Sequence, residues 1–243
     1  MEAQGAGQWL PGSALDRAAS QPPSSNQNKG DRVGEPETTG TILARTDDLV
    51  RGNAVAAAIA IIALATLDTL LDASPRQSFA VSGIVSFVAQ YGLTVAALQK
   101  LGLMSDGERG SRMPAMFGLL FVTGLATFLG IVLLIVPGVI LVVRWSIAVP
   151  ILLAERATIR EAMRQSWERT AGRFWPIFGV IAIYFGVLIA ASAVAVLVFA
   201  GNPVGTFVMN LLINIVAVGM WYAAIAIYQR ARPATSELEE VFA

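Results

Sequence analysis

FWPIFGVIAIYFGVLIAASAVAVLVFAGNPVGTFVMNLLINIVAVGMWYAAIAIY, residues 174–228, contains no Asp, Glu, Lys or Arg. Only Gly201, Asn202 and Pro203 interrupt it, a turn-like break dividing the run into residues 174–200 and 204–228. A helix needs about 20 apolar residues to cross roughly 30 Å of hydrocarbon, and each half is long enough. No water-soluble core needs two such stretches in succession. The run is therefore read as two transmembrane helices, and the chain as an integral membrane protein.

Upstream, residues 115–154 carry a single charge, Arg144. The stretch is too long for one crossing, and Pro137-Gly138 inside it cannot readily continue a helix. Two antiparallel helices are expected, over residues 115–136 and 139–154, with the turn at Pro137-Gly138. The second is short and carries Pro150, so a tilt or kink is expected there. Residues 54–71, interrupted only by Asp68, and residues 79–98 supply two more crossings. The expected fold is all-α and membrane-integral: a bundle of about six transmembrane helices with an amphipathic interfacial helix over residues 155–172.

Composition agrees. Hydrophobic residues make up 55% of the 243 and charged ones 14%, where soluble domains carry roughly 25% charged, and the mean hydropathy is +0.63. Seventeen basic residues balance 17 acidic ones, so no chain-wide field attracts nucleic acid, and that partner class is set aside. The chain has no cysteine and no histidine, which removes disulfides, thiolate chemistry, imidazole acid-base chemistry and the usual zinc, copper or haem ligands. No cofactor or metal is expected. Residues 1–41, rich in Gly, Pro, Ser, Gln and Asn with PPSSNQNKG at 22–30, read as a disordered tail without a cleavable signal. Residues 42–232 form the membrane domain and 233–243 a C-terminal tail.

Lysine and arginine set the orientation, because cytoplasmic loops carry the excess. Arg45 and Arg51 precede the first helix and Arg76 stands alone after it; Lys100, Arg109 and Arg112 lie between the second and third. The Pro137-Gly138 turn has none, Arg156, Arg160, Arg164, Arg169 and Arg173 follow the fourth helix, the 201–203 turn has none, and Arg230 and Arg232 follow the sixth. This alternation fits an inner-membrane protein with both termini in the cytoplasm.

Arg144 is the most informative single residue. It lies about six positions past the expected turn, roughly 9 Å below the outer surface, where a charge usually faces the bundle interior or a partner. Asp68, one turn before Asp72 at the outer end of the first helix, reaches a similar depth. Arg144 is expected to pair with Asp68 or, failing that, Asp72; the alternative is a cavity-facing arginine that binds an anionic substrate or lipid phosphate.

On a helical wheel of residues 155–172, Ile159, Ala162, Met163, Ser166, Trp167 and Thr170 share one side, and Arg160, Glu161, Arg164, Gln165 and Glu168 the other. The favoured reading is a connecting helix whose arginines enforce orientation and pair with Glu161 and Glu168. The functional one has Arg156, Arg160, Arg164, Arg169 and Arg173 gripping anionic headgroups. Ala182, Gly186 and Ala190 on the fifth helix, and Ser82, Ser86 and Gln90 on the second, are read as packing seams. Trp175, Trp221, Tyr222 and Tyr228 are read as an aromatic belt.

The run IVPGVILVVRWSIAVPILLAER, followed by EAMRQSWERTAGRFWPIF, resembles the membrane domain attached to some glycerophosphodiester phosphodiesterases and found in related stand-alone bacterial multi-pass proteins. Pro137-Gly138, Arg144-Trp145, Ala148, Pro150, Glu155, Ala162, Ser166-Trp167, Thr170, Gly172 and Phe174-Trp175 carry the resemblance. In those enzymes catalysis belongs to a separate soluble barrel, which has no counterpart in this chain. The resemblance implies a membrane role without supplying an activity.

The expected function is non-enzymatic: organisation of lipid or envelope components through the arginine-rich helix, with membrane lipids, anionic ones included, as partners and a homo-oligomer or membrane partner protein left open. The alternative is a small transporter or channel component with Arg144, Gln90, Asn210 and Asn214 lining a path. An enzyme ranks last, because no nucleophile and base stand in a recognisable arrangement. Ser146 is the only hydroxyl near Arg144 in sequence.

Overall fold

A computed structural model describes residues 38–72, 78–104, 112–199 and 202–232. The stretches read as tails, over residues 1–37 and 233–243, lie outside the described residues, as do Arg76 and Arg109. Every regular element among the described residues is an α-helix.

The first, α1 (Thr39–Gly52), has no counterpart in the sequence reading. It begins inside the expected tail because Thr38 and Thr41 form a reciprocal cap. The Thr38 hydroxyl accepts from the Thr41 backbone N–H at 3.3 Å, and the Thr41 hydroxyl oxygen from the Thr38 N–H at 3.1 Å, satisfying donors that a helix start leaves orphaned. Ile42 and Thr46 are buried, with Leu43, Leu49 and Val50 packed beside them. That spacing makes one apolar face.

Six helical stretches are long and apolar enough to cross a membrane. They are α2 (Ala54–Asp72), α3 (Ser78–Lys100), α4 (Met113–Leu133), the pair α5 (Ile135–Arg144) and α6 (Ala148–Ala154), α8 (Phe174–Phe199) and α9 (Pro203–Ala231), with the polar α7 (Ile159–Arg169) between α6 and α8. The longest, α9, has 29 residues, roughly 43 Å at 1.5 Å per residue. It is the hub, packing against α1, α2 and α8.

The turn between α4 and α5 is not at Pro137-Gly138. The chain reverses at Leu134 (φ −160, ψ 123), and α5 starts at Ile135. Pro137 therefore sits in the first turn of α5, where an absent N–H costs no intrahelical bond. Gly138 serves a different purpose: a Cβ there would stand 2.7 Å from the Ile131 backbone nitrogen and 3.0 Å from its Cα. The dipeptide marks a neck where two backbones touch, one helical turn past the reversal. The expected kink near Pro150 is a break over Trp145–Ile147, with Pro150 in the first turn of α6.

Buried side chains gather toward the arginine-bearing end. Tyr222 and Tyr228 of α9, Ile151, Leu152 and Leu153 of α6, Leu98 of α3 and Ile177 of α8 are almost fully enclosed. Toward the opposite end apolar side chains face outward, with Leu197 84% exposed, as suits a protein whose outer solvent is acyl chain rather than water. Two sequence readings change accordingly. Tyr222 and Tyr228 are core residues and Trp221 packs half-buried against that core, leaving Trp175, 74% exposed, as the outward-facing belt residue, with its ring edge-on to Phe174 and Phe178. Ala182, Gly186 and Ala190 face outward, and a Cβ on Gly186 meets nothing within 4 Å. The close approach falls instead at Gly219, whose added Cβ would stand 2.5 Å from the Tyr184 ring.

Candidate functional site

The site is assembled by α7 folding back along α6. Thr158 caps α7 by accepting from the Glu161 N–H at 3.3 Å, and Gly172, with φ +80, lets the chain turn from α7 into α8 through a conformation that side-chain-bearing residues resist. Ala162, Ser166 and Thr170, four residues apart, are fully buried. The two hydroxyls on this face converge on one acceptor. Ser166 donates to the Arg144 carbonyl at 2.7 Å, and Thr170, whose proton goes at 2.8 Å to the Ser166 carbonyl, stands 3.3 Å from the same oxygen. Because α5 ends at Arg144, that carbonyl has no intrahelical donor, and Ser166 of α7 supplies one.

The Arg144 guanidinium lies against Trp167, its central carbon 5.2 Å from the ring centroid, and reaches the Trp167 carbonyl at 3.5 Å. Its Nε is buried without a hydrogen-bond partner. No carboxylate pairs with it among the described residues, so the expected pairing with Asp68 or Asp72 is corrected. Asp68 accepts from Ser82 at 2.5 Å and Asn214 at 2.9 Å, and Asp72 from Asn210 at 3.0 Å, while Asn210 also donates to Thr69 at 3.1 Å. The reason is position: Arg144 closes α5 against α7 at the arginine-rich end, and not near the outer surface as expected, whereas Asp68 and Asp72 bond amides near the Pro203 end of α9. Of the residues expected to line a polar path, Arg144, Gln90, Asn210 and Asn214, the two asparagines bond those carboxylates and Arg144 meets Trp167.

Independence of the two groups is measurable. Asp68→Ala leaves the Asn214 amide, 4% exposed, with only the Asn210 carbonyl at 2.9 Å and one N–H unpaired, and is expected to cost about 1–3 kcal/mol in detergent unfolding. Combined with Arg144→Ala the losses should add to within about 0.5 kcal/mol; a larger coupling would mean that the two side chains do interact.

The five arginines read as headgroup contacts separate into different roles. Arg169 forms a bidentate ion pair with Glu155, one arm at 2.7 Å, and also donates to Gln165 at 2.8 Å; Tyr228 donates to Glu155 at 3.0 Å. Hydrogen bonding to Glu155 raises the Arg169 pKa further above its ordinary value, keeping the guanidinium charged. Arg173 donates to the Arg230 carbonyl at 2.9 Å. Arg164 pairs with Glu168 at 3.2 Å on the exposed face, and Glu161 accepts from Gln165 at 3.3 Å. Arg156 is exposed, with φ 54. Arg160 is exposed too, and no carboxylate pairs with it among the described residues.

In the sequence Arg112 reads only as a loop charge. Its guanidinium holds the end of α6, donating to the carbonyls of Leu152 at 3.0 Å, Ala157 at 2.9 Å and Arg156 at 2.7 Å. A basic residue immediately before a helix gives no hint of which distant carbonyls it will gather. Ser146 donates to the Val143 carbonyl at 2.9 Å, within its own turn.

Residues 118–229 match the family model described as the membrane domain of glycerophosphoryl diester phosphodiesterase. This is the membrane-domain family that the sequence resembles. The matched segment contains the Arg144–Trp167 contact and the Glu155, Arg169 and Tyr228 cluster, whereas Asp68 and Asp72 lie outside it. The chain is also similar to a UPF0259 membrane protein of Photorhabdus laumondii, at 32% identity over 90 residues, 36% of this chain and 33% of the relative. The match thus spans about a third of that relative's length. No solved structure matches the chain.

Proposed function

We propose that this membrane protein is non-enzymatic and engages anionic lipid headgroups at its arginine-rich end, which faces the cytoplasm from the bacterial inner membrane. The observation that carries the reading is Arg144, a cation held in place by Trp167 and by the Ser166 hydroxyl on its own carbonyl, yet without a carboxylate partner among the described residues. Such an ion is costly beside hydrocarbon unless an anion completes it, and a lipid phosphate is the anion available at that boundary. Trp167, 42% exposed, suits the headgroup layer, and Arg160, with no carboxylate partner among the described residues, adds a second cation on the exposed side of α7. The connecting-helix role suggested for the segment applies to Arg164, which pairs with Glu168, and Arg169 is consumed by Glu155.

Mass spectrometry of lipid retained by the chain after exposure to mixed phosphatidylglycerol and phosphatidylcholine tests this. The native chain is expected to retain the anionic lipid preferentially. Arg144→Gln with Arg160→Gln should lower the ratio about thirtyfold, at roughly 1 kcal/mol for each charge. Equal retention of the two lipids by the native chain would refute it. Orientation has its own test, helped by the absence of native cysteine: Arg160→Cys should resist an impermeant maleimide in intact cells and react once they are opened. Labelling in intact cells would reverse the assignment.

A further inference from the structure

Between α4 and the α5–α6 pair runs an open groove of about 420 Å³, lined by Thr123, Gly124, Thr127 and Phe128 on one side and Trp145 and Val149 on the other. Its size is that of a small-molecule site, and its walls are almost wholly apolar. A Cβ added at Gly124 would meet nothing within 4 Å, so the absence of a side chain there leaves space that no neighbouring group fills. The groove lies within stretches apolar enough to cross a membrane, where the occupant at hand is an acyl chain.

The two walls differ in one respect that selects among lipids. Trp145 faces the groove, and the preceding residue is Arg144, whose guanidinium lies against Trp167 with its Nε buried and unpartnered. Next to the groove residue Trp145 in the chain thus stands a cation that turns toward α7 and has no carboxylate partner among the described residues. That is the chemistry of one molecule with an anionic head and a hydrocarbon tail.

We infer that the α4/α5–α6 groove binds one acyl chain of an anionic glycerophospholipid whose phosphate rests on Arg144. The inference rests on the headgroup reading above and makes it specific, turning a diffuse preference for anionic lipid into a single seated molecule. The apolar wall supplies area, and the guanidinium supplies discrimination against zwitterionic lipids.

Trp145 reports directly on the groove. The full chain with Trp9, Trp167, Trp175 and Trp221 replaced by Phe leaves it as the sole indole, and a Phe at 167 keeps an aromatic face for the guanidinium. This chain is placed in phosphatidylcholine bilayers containing a minor fraction of phosphatidylglycerol, with bromine on the acyl chains of one lipid or the other. Quenching per brominated lipid is expected to be about fivefold greater for phosphatidylglycerol, the preference that one arginine at a headgroup confers.

Arg144→Gln should abolish that excess while leaving quenching by brominated phosphatidylcholine in place. Gly124→Leu, which fills the slot without a clash, should lower quenching by both lipids while the chain's overall retention of phosphatidylglycerol persists. Equal quenching by the two lipids, or an excess that survives Arg144→Gln, overturns the seated-lipid site. If retention of phosphatidylglycerol persists in that event, the headgroup reading stands without it; if retention is also absent, both fall.

Discussion

Gly138→Ala is expected to destabilise the detergent-solubilised chain by about 2 kcal/mol, read as a lowered unfolding midpoint, while Gly124→Ala should leave it unchanged or slightly raise it. An alanine in a helix interior is intrinsically better than glycine by about 1 kcal/mol, and at Gly124 nothing within 4 Å opposes that gain. At Gly138 the new methyl would stand 2.7 Å from the Ile131 nitrogen and 3.0 Å from its Cα. Backbone atoms cannot step aside as a flexible side chain can, so α4 and α5 must separate along the hairpin. Overpacking of this kind costs about 1–3 kcal/mol, and a backbone clash lies at the upper end. If the two alanines behaved alike, the neck would not be the close contact described.

Glu155→Ala should have the larger effect, about 3 kcal/mol in the same measurement. The Arg169 and Glu155 side chains are 16% and 25% exposed, so removing the carboxylate strands an enclosed guanidinium and deprives Tyr228 of its acceptor. Breaking a buried pair from one side costs roughly 3–5 kcal/mol, and partial exposure places this one at the lower limit. Tyr228→Phe, which removes one hydrogen bond and keeps the ring, should cost about 1 kcal/mol. Arg164→Ala provides the contrast. Its pair with Glu168 is well exposed, at 64% and 58%, and exposed pairs of this kind are worth under about 1 kcal/mol. Similar losses for Glu155→Ala and Arg164→Ala would show that the α6–α7–α9 clamp carries no special weight.

The clamp also bears on the lipid reading, because it holds the C-terminal half of α7 where Ser166, Trp167 and Thr170 meet the end of α5. A chain lacking Glu155 is therefore expected to lose preference for anionic lipid along with stability. Arg144→Gln should lose the preference alone, since the Ser166 hydroxyl binds its backbone carbonyl, which the substitution retains.

Legibility follows the length scale of the signal. The six apolar helices and α7 repeat over many residues, and their detection needs nothing but hydropathy and period. Of α1, only the Thr38 and Thr41 cap and one apolar stripe could announce it, and that signal is faint beside the neighbouring uncharged runs. Pro137-Gly138 stands out in the sequence as a special dipeptide, yet it is a neck and not the reversal itself. A proline is tolerated in the first turn of a helix as well as in a loop, and a glycine can serve contact as well as conformation. At the site, Glu168 meets Arg164 four residues away on the same helix, as local spacing allows. Glu155 with Arg169 and Tyr228, Arg112 with three carbonyls, and Asp68 with Asn214 all join separate elements.

By itself the sequence determined which solvent surrounds the chain, the number of apolar helices and the resemblance to the membrane-domain family, because composition and periodicity are sums over consecutive residues. Only the tertiary structure decided where α4 turns into α5, which arginines are consumed by carboxylates and which is left to Trp167. Those outcomes depend on the rotation of each helix about its axis, and that angle is set by packing against neighbours far away in the chain.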